Sequence, residues 1–213
     1  MLSQALNAVR IPSRRLDLRQ AHHHVGVGRG HVVSEAWIDD LDRWVVLDGQ
    51  NGSYWIDADG NPLGISELQD LDTTPSFVPV GSVEPLTEQL AAAWFTYFAS
   101  VSTTGATLAS PPFAPIFQEM RVIRTPRLAH DRSFIYPRLS DVSTALAGTV
   151  DRPTVRFDHS HPYGTGIQLH LDTGSLDIDE WPLELTPGEH ELAVTIRTPY
   201  GETAPRRFAY LVR

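Results

Sequence analysis

The sequence predicts an α+β fold, in which a helix and an antiparallel sheet come first and a small β-sandwich follows. A β-hairpin pattern runs from His31 to Asp48, and an amphipathic helix pattern covers Glu84–Val101, with Pro85 in its first turn. From Thr154 onward, short alternating segments are separated by Gly and Pro turns. The first two patterns predict the mixed domain, and the third predicts the sandwich.

The hairpin pattern places a histidine and a carboxylate on one face of a sheet. Strands are predicted at His31–Ile38 and Trp44–Asp48, with the acidic turn Asp39–Asp42 between them. A four-residue turn leaves His31 one diagonal step from Asp48 on the same face, and a two-residue turn places the two directly opposite. A carboxylate beside a histidine fixes the ring tautomer and stabilises the imidazolium form.

This stretch resembles the His–Asp half of the transglutaminase-like superfamily of papain-like cysteine enzymes. The family pattern is a histidine, a hydrophobic pair, a glutamate and an aromatic residue, followed by Trp-x-x-x-Asp. Here it reads His31-Val32-Val33-Ser34-Glu35-Ala36-Trp37 and then Trp44-Val45-Val46-Leu47-Asp48. Upstream, a short helix pattern ends at Arg10-Ile11-Pro12-Ser13-Arg14, which is similar to the family's Gly-Ile-Pro-Ala-Arg turn. The resemblance covers roughly the first third to half of the chain.

The resemblance implies a thiol nucleophile on the lead-in helix, with His31 as base and Asp48 as the orienting carboxylate. The chain, however, contains no cysteine. In the family the nucleophile lies about four or five helical turns before the Ile-Pro turn, whereas Met1 lies only about two and a half turns before Ile11. Ser3 is the nearby hydroxyl, at the wrong distance to replace the thiol. His31 and Asp48 are therefore the catalytic candidates, as retained positions of a triad whose Cys is absent.

Three functional hypotheses follow from these residues. The first is a truncated transglutaminase-like domain without thiol catalysis, with a binding or structural role toward a protein or peptide partner. The second is the C-terminal portion of an active cysteine acyl-transfer enzyme or protease, whose Cys lies upstream of Met1. The third is a purely structural hairpin whose family likeness is accidental.

The local patterns between these features predict shorter elements. We expect a helix at Leu2–Val9, an exposed strand at Ser13–Arg19, a strand at Ser53–Ile56 and a short helix at Ile65–Leu71. The segment Thr73–Val80 contains two prolines and is predicted to be irregular.

The sequence divides into three regions. Residues 1–101 are predicted as the truncated transglutaminase-like domain, 102–149 as a connector packing on it, and 150–213 as an immunoglobulin-like β-sandwich. The sandwich strands are predicted at Thr154–Asp158, Gly166–Leu171, Trp181–Leu185, His190–Thr198 and Arg206–Val212. The run LTPGEHELAVTIRTPYGE, a Gly-turn, a strand and a second Gly-turn, resembles the end of an immunoglobulin-like accessory module.

Metal and cofactor sites are not expected. The triplet His22-His23-His24 is predicted as a solvated loop, because adjacent residues of an extended chain point to opposite sides and do not easily converge on one ion. Asp57–Asn61 has some features of a calcium loop, but Pro62 stands where such a loop requires glycine, so we expect a turn.

The net charge and the hydropathy of the sequence limit which partners and which cell compartment we expect. The formal net charge is -9 and the sequence pI is about 5.4, which argues against nucleic acid or an anionic membrane as the main partner. With no signal-peptide pattern and no apolar run of transmembrane length, we expect a cytoplasmic protein, unless a segment precedes Met1.

Overall fold

The computed structural model describes residues 2–20, 30–81, 84, 86–103, 116–117 and 137–213. The chain forms two compact units, which are described separately. Unit 1 comprises Met1–Ile38 and Arg43–Pro137, and unit 2 comprises Asp39–Asp42 and Arg138–Arg213. The division after Pro137 differs from the predicted start of the second domain at residue 150. The reason is that Val142–Thr149 is a strand of unit 2 rather than part of a connector.

Unit 1 is built on a seven-stranded sheet in the order β5-β4-β3-β2-β1-β6-β7, and all neighbouring strands are antiparallel. The predicted antiparallel sheet is thereby confirmed. The strands are β1 (Ser13–Arg19), β2 (Gly30–Ile38), β3 (Arg43–Asp48), β4 (Ser53–Ile56), β5 (Ser76–Pro79), β6 (Ser100–Thr103) and β7 (Ile116–Phe117).

The β2–β3 hairpin has the register of the four-residue turn. Trp37 pairs with Trp44, and Ile38 pairs with Arg43. The turn contains a short 3-10 helix at Asp39–Leu41 and is closed by Asp42, whose φ of 52° lies in the left-handed region that aspartate tolerates better than most residues. The two-residue alternative is excluded, and the diagonal arrangement of His31 and Asp48 follows.

The predicted exposed strand at Ser13–Arg19 exists, but the prediction that it is exposed was wrong. β1 lies between β2 and β6, and its leucines belong to the main core of unit 1. Its charged residues misled the sequence reasoning, because Arg14 is itself buried against Glu35 of β2. The core residues on this face are Leu16, Leu18, Val33, Val46, Trp55, Leu63, Ile65, Leu68, Ala91 and Phe98.

In the described part of unit 1, three α-helices accompany the sheet: α1 (Leu2–Ala8), α2 (Ile65–Asp70) and α3 (Glu88–Phe95). The predicted helix Glu84–Val101 was too long at both ends. α3 starts after Thr87, whose side chain accepts a hydrogen bond from the Leu90 amide as an N-cap. It gives way to a 3-10 turn at Thr96–Ala99 and then to β6, because its apolar pattern continues into residues of low helix propensity.

The prediction of irregular structure at Thr73–Val80 was also wrong. β5 lies there, at the outer edge of the sheet, and pairs with β4. A proline is compatible with an edge strand, where no second neighbour needs its missing amide.

Unit 2 consists of two antiparallel sheets, and their order is β12-β9-β8 in one and β11-β10-β13 in the other, with β14 and β15 both pairing with β13. The strands are β8 (Val142–Thr149), β9 (Arg152–His159), β10 (Gly166–Leu171), β11 (Gly174–Ile178), β12 (Glu180–Pro182), β13 (Gly188–Thr198), β14 (Gly201–Glu202) and β15 (Arg206–Val212). The sequence reasoning found β9, β10, β13 and β15, placed β12 too far along the chain, and missed β8, β11 and β14.

One hydrophobic core is shared by the two sheets of unit 2. Val155 and Phe157 from the three-stranded sheet pack with Ile167, Leu169 and Val194 from the five-stranded sheet. Alternate residues of β9, β10 and β13 therefore face inward, as expected for strands that are covered on one side.

Candidate functional site

His31 and Asp48 meet in the interior of unit 1, as the hairpin pattern predicts. The His31 Nε2 and Asp48 Oδ2 atoms are 2.7 Å apart, and the two side chains are 4% and 2% exposed. β2 supplies the histidine near its start and β3 supplies the aspartate at its end, so the register of the hairpin alone brings them together. We call this pair the His31–Asp48 dyad.

The tight turn after β3 holds the Asp48 carboxylate in place. The backbone amides of Gln50 and Asn51 each donate to Oδ1 at 3.1 Å, and the Asn51 side-chain amide donates to Oδ2 at 2.8 Å. Sequence reasoning missed Asn51, although the run Asp48-Gly49-Gln50-Asn51 after a strand is a signal for a turn that is closed by a side chain.

These contacts fix the protonation state of Asp48. Burial acts to raise the pKa of the carboxyl, but the hydrogen bond and charge of His31, together with the hydrogen bonds from Asn51, outweigh it and hold the pKa below its ordinary value. Asp48 is therefore a carboxylate at neutral pH, and it accepts the Nε2–H of His31.

The second nitrogen of the ring is the one that can do chemistry. Because the carboxylate keeps the proton on Nε2, the neutral ring presents a lone pair at Nδ1. Among the residues that the structure describes, none hydrogen-bonds to Nδ1 of His31. A thiol or hydroxyl brought next to this atom would meet a general base.

Two aromatic side chains of the α3 region cover the His31 ring. The Trp94 ring centroid lies 4.4 Å from that of His31, and the Tyr97 centroid lies 5.9 Å away in an edge-on arrangement. They limit the access of water to the dyad, so the hydrogen bond between the ring and the carboxylate is screened less than it would be at the surface.

A buried ion pair lies on the same face of the sheet as the dyad. The Nε and Nη2 atoms of Arg14 donate to Glu35 Oε2 at 2.9 and 2.6 Å, and the guanidinium stacks 4.5 Å from the Trp44 ring centroid. The Ile65 amide at the start of α2 donates to Glu35 Oε1. Burial raises the pKa of Glu35, and Arg14 opposes this. The pair joins β1, β2 and α2.

Ser3 is not positioned to act with His31. The Ser13 hydroxyl donates to the Ser3 carbonyl at 2.7 Å, so α1 packs against the face of β1 that carries Ser13. The next residue, Arg14, points to the other face, which is the face of His31. The structure thus separates the nearest N-terminal hydroxyl from the dyad.

The structure describes one of the two other stretches that the sequence analysis considered for metal binding. Asp57 Oδ1 accepts hydrogen bonds from the amides of Asp59 and Asn61, which confirms the predicted turn. His22-His23-His24 lies outside the described residues. In the part of the chain that the structure describes, no group of three or more His, Cys, Asp or Glu side chains is placed to hold a metal ion.

A second histidine network lies on the outer face of the five-stranded sheet and was not predicted. The Ser175 hydroxyl is 3.0 Å from His170 Nδ1, and His170 Nε2 is 2.9 Å from Thr195 Oγ1 and 3.2 Å from Glu202 Oε2. We call this set the Ser175–His170–Glu202 network. It combines a hydroxyl, a base and a carboxylate, but His170 and Glu202 are 34% and 39% exposed. Water competes for each of these contacts, so the buried dyad is the stronger candidate site.

Across the described ranges, no helix is long and apolar enough to span a bilayer. No protein-family model, curated protein or solved structure matches this chain.

Proposed function

We propose that this chain is a transglutaminase-like domain protein with a binding or structural role, in which His31 and Asp48 are the retained part of a Cys-His-Asp site. The observation that carries the proposal is the buried contact of 2.7 Å between His31 Nε2 and Asp48 Oδ2. The chain has no cysteine, so it cannot form a thioester by itself.

The positions of the resembling motif support this proposal because they converge in space. Arg14 of the Ile-Pro turn motif pairs with Glu35 of the histidine motif, and both lie on the face that carries His31 and Asp48. Two buried ion pairs formed by motif positions on one face of one sheet support the proposal.

The backbone of the turn Arg10–Arg14, which follows α1, gives independent support for the proposed family resemblance. Arg10 stands where the family pattern has glycine, and its φ is 62°. This left-handed conformation is the one that favours glycine at the end of a helix. The resemblance therefore extends to the backbone conformation at a position where the side chain differs.

The strand order of unit 2 supports the immunoglobulin-like part of the proposal. The first, second and fifth strands form one sheet, and the third, fourth, sixth, seventh and eighth strands form the other around β13. Immunoglobulin-related sandwiches divide their strands between two sheets in a comparable way. Such modules commonly bind or scaffold, which agrees with a role that does not require turnover.

A second candidate function is acyl transfer with a thiol supplied from outside the given sequence. The orientation of the dyad favours it, since Nε2 is held by Asp48 and Nδ1 is left to accept a proton. A cysteine thiol would lose its proton to His31 and attack an amide carbon, the imidazolium would protonate the departing amine, and water or another amine would cleave the thioester. The outcome would be deamidation, peptide hydrolysis or crosslinking.

The two candidates are separated by an amidase assay on the 213-residue chain. With a blocked glutamine peptide as substrate, we expect no release of ammonia above the buffer rate, and the same rate for His31→Ala. Ammonia release that His31→Ala abolishes and Ser175→Ala preserves would overturn the binding role. A longer gene product that hydrolyses the peptide, is inactivated by iodoacetamide and requires His31 would establish the second candidate.

A further inference from the structure

β8 differs from the other strands at the edges of the sheets. It is the last strand in the order β12-β9-β8 and pairs with β9 along its full length, from Val142 opposite His159 to Thr149 opposite Arg152. No strand in the described ranges pairs with its other side. Its backbone amides and carbonyls on that side are therefore arranged to accept a further strand.

The sequence of β8 lacks the features that usually protect an edge. Its eight residues, VSTALAGT, include no charged side chain and no proline. Four other outer strands carry one or the other: β5 ends in Pro79, β11 contains Asp177, β12 contains Pro182 and β15 begins with two arginines. The outer strand β7 carries neither, but it is only two residues long. Charges and prolines on edge strands prevent pairing with other chains, so their absence from the long β8 strand marks it as open to pairing.

An apolar side chain of β8 lies on the core side of its sheet without being covered. Leu146 is directly opposite Val155, which is part of the unit 2 core, so the two share a face. Val155 is buried, whereas Leu146 is 80% exposed. A strand added beside β8 would extend the three-stranded sheet and place a neighbour against Leu146.

We propose that β8 pairs with β8 of a second copy of this chain, antiparallel and related by a two-fold axis. The net charge of -9 makes two copies repel one another on average, whereas β8 itself carries no charge and Asp141, immediately before it, is paired with Arg206. A charged peptide would find no counter-charge on this strand, whereas an identical uncharged strand is complementary to it. Antiparallel pairing of one edge with itself also closes the assembly at two copies.

Sedimentation of the full chain tests this proposal. From about 1 μM to about 1 mM, the range in which weak interfaces dissociate, we expect a monomer–dimer equilibrium without larger species. Leu146→Lys places like charges together across the two-fold axis and is expected to weaken the dimer at least about tenfold. The matched control is Leu176→Lys on β11, an edge leucine that is 49% exposed, and it should leave the dimer unchanged.

The absence of cysteine allows a second measurement. Leu146→Cys introduces the chain's single thiol, and a short bis-maleimide should join two copies through it, whereas Leu176→Cys should remain monomeric. A chain that is monomeric throughout the concentration range would overturn the proposal. So would a dimer that Leu146→Lys does not weaken, a dimer that both lysine variants weaken equally, or an open-ended polymer.

Discussion

The His31–Asp48 dyad and the Ser175–His170–Glu202 network contain similar groups in opposite surroundings. In unit 1 the His31–Asp48 dyad is almost free of solvent, and in unit 2 the Ser175–His170–Glu202 network faces it. The network has more members, including a hydroxyl beside the ring. However, water and salt screen its charges and compete for its hydrogen bonds. The comparison shows that a histidine held ready to act as a base is recognised by its burial and its rigid carboxylate partner. The number of polar neighbours is a poorer guide.

The largest difference between the two regions should appear when a carboxylate is removed from each. Glu35→Ala leaves the Arg14 guanidinium buried without an anion, and we expect the free energy of unfolding of unit 1 to fall by about 3–5 kcal/mol. Glu202→Ala removes an exposed partner and should cost about 1 kcal/mol or less. Urea unfolding followed by tryptophan fluorescence measures both, because four of the five tryptophans lie in unit 1.

Equal losses for the two variants would contradict the comparison. Arg14→Met together with Glu35→Leu serves as a control, because it removes both charges and should recover much of the stability that Glu35→Ala loses.

The dyad itself should show an intermediate effect that depends on pH. The pKa of Asp48 is lower in the folded chain than in the unfolded chain, so its stabilising contribution is fully present above about pH 4 and is lost as the pH falls through the folded-state pKa. At neutral pH, Asp48→Ala removes hydrogen bonds to a charged group and should cost about 1.5–3 kcal/mol. The difference between wild type and variant should shrink in acid, and urea titrations between about pH 6 and about pH 2 measure it.

If the difference in the free energy of unfolding between wild type and Asp48→Ala stays constant or grows in acid, Asp48 is not held as a carboxylate by the fold. Asp177→Ala, which removes an exposed carboxylate bound to Arg197, provides the matched control, with a small effect expected across the range.

The smallest effect should come from the turn that positions the dyad. Asn51→Ala removes one hydrogen bond of 2.8 Å to Asp48 and leaves the two backbone bonds, so we expect a loss of about 0.5–1.5 kcal/mol. Gln168→Ala, which removes a half-buried side chain whose amide nitrogen donates to the exposed Asp177, is expected to change the stability by less than about 0.5 kcal/mol. A larger loss for Gln168→Ala than for Asn51→Ala would reverse the comparison.

The sequence predicted the parts of the site that depend on local alternation. His31 and Asp48 meet because residues two apart on a strand share a face and because a four-residue turn joins the strands. Trp94 and Tyr97 were predicted only as part of a helix, and their contact with His31 depends on how distant elements pack. For the same reason the apolar pattern of α3 was extended into β6, and the weakly patterned strands β5 and β8 were missed.

Imidazole nitrogen NMR tests the central claim most directly, because it compares His31 and His170 in one sample. At neutral pH the account predicts a proton on Nε2 of His31 that exchanges slowly with water, shifts downfield beside the carboxylate and disappears as a protected signal in Asp48→Ala. The Nε2 proton of His170 should exchange quickly in both proteins. A His31 proton that exchanges as fast as that of His170, or that is unaffected by Asp48→Ala, would contradict the dyad.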